Sequence, residues 1–140
     1  MWPGSLIAET HDRLACKKDV VFLGRKELDE LQVIIAGAEA MIFVPLFEGF
    51  GIPALEAMAS GIPLVASNTT SLPEIVGEAA IKVNPKDIAA IAGGMKQVLE
   101  DSNLRAELIR KGELQVQKFS WDTTSHKLWE AMQKTINESK

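Results

Sequence analysis

The chain has 140 residues, 46 % of them hydrophobic and 24 % charged, with a formal net charge of −4. That suffices for one globular domain with its own core, and the acidic balance argues against nucleic acid as a partner, which would ask for a basic patch. No apolar run approaches a membrane-spanning length, and the single cysteine, Cys16, has no partner for an internal disulfide.

Cys16 fits a reducing, cytoplasmic compartment, with burial on a helix a better account than reactivity. Met1 to Ser5 lacks the charged start and apolar block of a secretion signal. Pro3-Gly4-Ser5 reads as a turn, with Ser5 capping a helix over residues 6–18. Leu6, Ile7, Leu14 and Cys16 are its candidate inward positions. His11 has no second ligand at metal spacing and is assigned to surface or packing. Residues 20–23, Val-Val-Phe-Leu, form a short buried strand closed by Gly24. Arg25 and Lys26 then open a helix over 27–38, whose Leu28, Leu31, Ile34 and Ile35 recur at helical spacing and face a core.

Residues 40–44, Ala-Met-Ile-Phe-Val, read as a buried strand, and Pro63 to Ala66 as another. Between them stands Glu48-Gly49-Phe50-Gly51-Ile52-Pro53-Ala54-Leu55-Glu56. Gly49 and Gly51 permit turns and close approaches that a side chain would block, and Pro53 suits the start of a helix running from Ala54 to Ser60. That helix start faces the carboxyl end of the strand, where open α/β sheets bind ligands. Its faces are apolar apart from Glu56, a costly place for an acid without a partner, though near enough to the helix start for the dipole to favour it. Singly, Glu56 reads as a dipole complement and Glu48 as a loop acid. Together, with glycines between them and strands on both sides, they read as a site.

The loop 67–70, Ser-Asn-Thr-Thr, shares that rim if the strands are parallel. Its hydroxyls suit a phosphate or sugar, and equally suit turn formation. Ser71-Leu72-Pro73-Glu74 matches a capping box, with Ser71 capping and Glu74 reaching back. A strand over 80–83 and a helix over 87–100 follow, with Ile88, Ile91, Met95, Val98 and Leu99 on one side of the helix. Gly93 and Gly94 weaken that helix by about 1 kcal/mol each. A helix over 104–118, capped by Ser102 or Asn103, precedes a last helix capped by Ser120, which carries Trp121, Leu128, Trp129, Met132 and Ile136. Strands alternating with helices give a doubly wound α/β class.

The segment from Glu48 to Pro63, with its Glu-to-Glu spacing, resembles the nucleotide-sugar signature of the group 1 retaining glycosyltransferases, which have the two-Rossmann-domain GT-B architecture. The stretch from Ala66 to Glu74 also resembles that family, particularly members that use GDP-mannose. The likeness runs from about Gly4 to about Ile136, and implies that residues 1–140 are a partial C-terminal, Rossmann-like donor domain. By that resemblance Glu48 binds the transferred sugar beside its anomeric carbon and is the catalytic candidate. Glu56 accepts the ribose hydroxyls. The N–H groups around Phe50, Gly51 and Ile52 meet sugar and phosphate, and Arg25 and Thr70 are further donor contacts; for Arg25 a solvated basic pair with Lys26 is the alternative. No Asp-x-Asp occurs, which speaks against the metal-dependent class, and neither metal nor cofactor is implied.

The resemblance also defines what the chain lacks. The family domain opens with two strands and an arginine–lysine pair that neutralises the diphosphate, and an N-terminal Rossmann domain carries the site for a glycan or lipid acceptor. The expected consequences are a fragment inactive or nearly so alone, and a sheet that either closes with residues 20–23 beside 40–44 or is completed at its edge by a partner, a second copy included. The last helix is expected to return to the absent domain. The intact protein is expected in the cytoplasm, with peripheral membrane attachment as an option. A non-catalytic α/β nucleotide-binding or interaction module is the alternative reading, and a sugar-nucleotide epimerase a third.

Overall fold

The computed structural model describes residues 5–138; Pro3 and Gly4 of the predicted turn lie outside them. The chain divides into two compact units, one ending at Val33 and one beginning at Ile34.

In the first unit Ser5 caps α1 (Leu6–Arg13), its hydroxyl accepting from the Ala8 N–H at 3.2 Å. The helix stops five residues short of the expectation. Leu14 is already extended, and one 3₁₀ turn follows at Lys17–Asp19. Leu6, Ile7, Leu14 and Cys16 are exposed rather than inward, and Ala8 is the buried residue of α1. Residues 20–23 form no strand and stay exposed. A strand is stabilised by a neighbour's ladder of hydrogen bonds, and here Phe22 instead sets its ring edge-on to His11, 5.1 Å between centroids. The sheet therefore does not close with residues 20–23. Helix α2 (Leu28–Ala36) crosses into the second unit. Leu28, Leu31 and Ile34 of its apolar face remain exposed, and only Ile35 is buried.

The second unit is built on a parallel sheet, β1 (Met41–Phe43), β2 (Leu64–Ser67) and β3 (Ala80–Val83), in that order. Met41 stands opposite Leu64, and Leu64 opposite Ala80. All four residues of β2 are buried, as befits a central strand covered on both faces. Alternation assigns them: Leu64 and Ala66 face a cluster with Ala54, Ala57, Met58, Leu72 and Val76, while Val65 faces Val83, Val98 and Leu108. Helices α3 (Ile52–Ala59) and α4 (Leu72–Val76) supply the first layer, and α5 (Ile88–Glu100) the second. The fold is thus the expected doubly wound α/β class. Among the described residues the outer edge of β1 has no partner strand.

Caps explain the later boundaries. Asp87 accepts from Ala90 N–H at 3.0 Å and starts α5. Asp101, rather than Ser102 or Asn103, accepts from Leu104 N–H at 2.9 Å and starts α6 (Ser102–Val116). Ser120 accepts from Thr123 N–H at 3.0 Å and starts α7 (Trp121–Glu138), as expected. Ile88, Met95 and Leu99 of α5 point outward, so the buried face of that helix is narrower than its apolar periodicity suggests. Gly94 meets the sheet on that face, where an added Cβ would lie 3.1 Å from Val65 Cγ1.

Candidate functional site

The carboxyl ends of β1 and β2 are tied together before any loop begins. Ser67, fully buried at the end of β2, donates its hydroxyl to the Pro45 carbonyl at 2.6 Å. A buried hydroxyl needs such a partner. The bond also brings the loop after β1 beside the loop after β2, on one rim, as parallel strands require.

Glu48 lies in the first of these loops, and the second grips its backbone from both sides. The Glu48 N–H donates to Thr70 Oγ1 at 3.3 Å, and the Glu48 carbonyl accepts from Ser71 Oγ at 2.9 Å. Thr70 passes the chain on, donating its own hydroxyl to the Thr69 carbonyl at 2.8 Å. It does so from a left-handed backbone, φ 57°, the one positive φ outside glycine among the described residues. Such a conformation is uncommon for a β-branched residue, persists only when its surroundings over-determine it, and clusters at ligand sites. Thr69 adds a second anomaly: its Oγ1 is buried with no hydrogen-bond partner among the described residues.

The capping box expected at Ser71 does not form. Ser71 sits in the right-handed helical region, φ −77° and ψ −23°, and makes no side-chain cap. An N-cap needs an extended backbone to aim its oxygen at the helix, so the hydroxyl turns to Glu48 instead. Glu74 is exposed and does not reach back. Ser71 is therefore a candidate site residue that the S-x-x-E spacing concealed; its position on the shared rim was the available signal.

The Glu48 carboxylate folds over its own loop. Oε1 accepts from the Gly49 N–H at 3.1 Å and the Phe50 N–H at 3.3 Å. The Phe50 ring packs edge-on against Phe119, 6.0 Å between centroids, and so pins the loop to the joint between α6 and α7. Gly51 then caps α3 with φ 110° and ψ 42°. An added Cβ there would stand 2.6 Å from Leu72 Cδ2, so backbone angle and packing both demand glycine. Gly49 has neither constraint, which corrects the pairing of the two glycines. No side chain caps the start of α3, where Ile52 stands exposed and Pro53 follows with no N–H to leave unpaired.

Glu56 is the fifth residue of α3 rather than part of its first turn, so the dipole supports it less than expected. It is half-buried, and among the described residues nothing pairs with its carboxylate by hydrogen bond or ion pair. An unpaired carboxylate in that setting has the capacity to accept two hydroxyl donors. The second unit thus joins Glu48, Phe50, Thr70 and Ser71 by hydrogen bonds, and carries Ile52 and Glu56 on the helix that Gly51 starts. Arg25 belongs to the first unit and is exposed there, with Lys26 pairing to Glu30 at 3.3 Å beside it.

Comparison with known proteins gives this arrangement a context. The family model "Glycosyl transferases group 1" matches residues 8–115. O-antigen chain mannosyltransferase B of Escherichia coli is 35 % identical over 121 residues, covering 86 % of this chain and 32 % of that protein. An MMP alpha-(1->4)-mannosyltransferase of Mycolicibacterium hassiacum is 36 % identical over 112 residues, 77 % of this chain and 27 % of that one. Among solved structures, sucrose-phosphate synthase from Thermosynechococcus elongatus superposes with a TM-score of 0.81 at 26 % identity, covering 94 % of this chain and 34 % of that chain. In each case the chain spans about a third or less of the other protein's length. By sequence match, by the GT-B fold, and by the glutamate-and-glycine loop at the mouth of its sheet, the chain belongs to the group 1 glycosyltransferases.

Proposed function

We propose that this chain forms the donor side of a retaining glycosyl transfer from a nucleotide-diphosphate sugar, GDP-mannose in the first instance, to a glycan or lipid acceptor. The observation that carries the reading is Glu48, its backbone clamped by Thr70 and Ser71 while, among the described residues, its carboxylate is held only by its own loop. Glu48 accepts the hydroxyls of the transferred sugar, and its charge stabilises the oxocarbenium-like state that forms at the anomeric carbon. Glu56, half-buried and unpaired among the described residues, accepts the two ribose hydroxyls, a geometry a carboxylate suits. The N–H groups around Phe50, Gly51 and Ile52, from the loop at Gly49 to the helix start, meet the sugar and the diphosphate. The mannosyltransferases among the relatives support the choice of sugar.

The acceptor site belongs to an N-terminal Rossmann domain outside this chain, as do the cationic groups that neutralise the leaving diphosphate. The chain by itself therefore binds nucleotide weakly and turns nothing over. The free edge of β1 is where strands outside this chain, or a second copy, add. We place the intact protein in the cytoplasm, attached peripherally at a membrane when its acceptor is a lipid.

Calorimetric titration of the purified chain tests this. GDP and GDP-mannose bind weakly, Glu56→Ala weakens both about tenfold, and Glu48→Gln weakens GDP-mannose relative to GDP. Equal binding of GDP and GDP-mannose, indifferent to Glu48→Gln, would favour a non-catalytic nucleotide-binding module. Conversion of the donor sugar without acceptor would favour an epimerase, and transfer by the chain alone would overturn the division of labour.

A further inference from the structure

The loop from Glu48 to Gly51 is restrained from several sides. Hydroxyls of Thr70 and Ser71 take the backbone of Glu48, and Leu72 packs closely against Gly51. Between these restraints stands Phe50, whose ring meets Phe119 edge-on, 6.0 Å between centroids and 88° between planes. Gly49, next to it, has nothing within 4 Å of an added Cβ. Phe50 is 45 % exposed, so its ring is only partly removed from water. What an edge-to-face pair adds beyond burial is a fixed direction.

Phe119 has a stiff footing. It lies just past the end of α6, its N–H donating to the Val116 carbonyl at 2.9 Å. Residues 112, 115 and 119 are spaced three and four apart, which sets them along one stripe. Gly112 lies against α3, where an added Cβ would stand 3.2 Å from Met58 Cγ. Gln115 is buried and donates its side-chain amide to the Ile75 carbonyl of α4 at 2.8 Å. Its Oε1 accepts from Lys118 Nζ at 2.8 Å. The stripe therefore rests on α3 and α4, the helices that follow the two loops at the mouth of the sheet, and it ends on Phe50.

We propose that Phe119 is a positioning residue of the donor loop: its ring holds Phe50, and with it the Phe50 N–H, in the direction from which a bound donor is met. That N–H donates to Glu48 Oε1 at 3.3 Å, so one restraint sets two groups of the site. Phe119 acts through Phe50 and not on the donor. The effect on binding rests on the donor reading above; the restraint itself does not. Without the Phe119 ring, Phe50 hangs beside a glycine free to turn. Donor binding must then order the loop first, which costs affinity.

Backbone-amide NMR relaxation of the 140-residue chain reads the restraint. The Phe50 N–H of the parent has an order parameter of about 0.85, and in Phe119→Ala it falls below about 0.6, with the Leu64 N–H of β2 unchanged. Phe119→Leu, the milder variant, moves the same way, and Phe119→Tyr, which keeps the ring, keeps the parent value. Calorimetric titration reads the consequence. Phe119→Ala weakens GDP-mannose about three- to tenfold, Phe119→Tyr does not, and in a Phe50→Ala background Phe119→Ala adds no further loss. A Phe50 order parameter indifferent to Phe119→Ala and Phe119→Leu overturns the proposal, whatever binds. So does an affinity loss that persists in the Phe50→Ala background, because Phe119 would then act otherwise than through Phe50. A loosened Phe50 in Phe119→Ala, with neither nucleotide bound by the parent chain, supports the restraint and overturns the donor reading instead.

Discussion

Gly51→Ala isolates the link between the glycine loop and the core. Two costs combine. Alanine at φ 110° and ψ 42° leaves its favoured regions, which costs roughly 1–2 kcal/mol. Its Cβ would also stand 2.6 Å from Leu72 Cδ2, where carbon contacts prefer about 3.5–4.0 Å. The leucine methyl must then retreat by about 1 Å. Leu72 is fully buried, so the displacement passes into the core, at an overpacking cost of roughly 1–3 kcal/mol. The expected loss is about 3 kcal/mol in urea unfolding followed by circular dichroism, with the denaturant slope unchanged. Gly49→Ala is the control: nothing lies within 4 Å of its added Cβ, and it stays within about 0.5 kcal/mol of the parent. In a Leu72→Ala background the collision vanishes and only the backbone cost of Gly51→Ala remains, so the double variant loses less than the sum of the singles. A Gly51→Ala loss no larger than that of Gly49→Ala, or strictly additive losses with Leu72→Ala, would refute the reasoning.

Neighbouring glycines in α5 should respond oppositely. Gly93→Ala, into open space, raises stability by up to about 1 kcal/mol through helix propensity, whereas Gly94→Ala crowds Val65 and Val83 at 3.1 and 3.2 Å and lowers it by roughly 1–2 kcal/mol; equal thermal shifts in the two variants would show that α5 does not approach the sheet this closely. Lys82, hydrogen-bonded to Glu78 at 2.6 Å, holds the Glu78 carboxyl below the usual glutamate range, and Lys111 does the same for Glu107. A lowered folded-state pKa gives stability that is fully present above the ordinary glutamate range and is lost as pH falls through the lowered value. Urea midpoints measured from neutrality down to about pH 3 should therefore fall less steeply with acid in Lys82→Met than in the parent, and identical pH profiles would remove Glu78 from the account.

What the sequence made legible is what local chemistry decides. The three strands of the second unit, the turn into α3 and the last three helices follow from apolar period, from Gly51 and Pro53, and from Ser120 as a cap, whereas α6 is capped by Asp101 and not by the expected Ser102 or Asn103. The misreadings have a common physical origin in partners distant along the chain. Residues 20–23 carry a strand's composition, but a strand exists through its ladder, and none of the described residues takes theirs. Ser71 carries a cap's spacing, but its backbone angles send the hydroxyl to a carbonyl 23 residues away. The close packing of Gly51 against Leu72, and the buried Ser67 bond to Pro45, join residues whose adjacency no window of sequence displays. Leu28, Leu31 and Ile34 show the reverse error: helical period predicted the helix correctly but not that its apolar face would remain exposed.

The division of restraints on Glu48 bears on the proposed chemistry. Its backbone is fixed by hydroxyls from the neighbouring loop, at 3.3 Å from Thr70 and 2.9 Å from Ser71, whereas among the described residues its carboxylate is held only by the N–H groups of the next two residues. Those N–H groups are ones a diphosphate would need on the proposed reading, and the carboxylate is the group the sugar would need. Donor binding then becomes an exchange: phosphate oxygens take the N–H groups and sugar hydroxyls take the carboxylate. Charge-assisted bonds are replaced in kind, so the exchange costs little beyond a rotation of the Glu48 side chain. Because the clamp grips the backbone and not the carboxylate, that rotation leaves the loop in place. A glutamate held through its carboxylate by a lysine or arginine would have to break a salt bridge before it could meet a sugar.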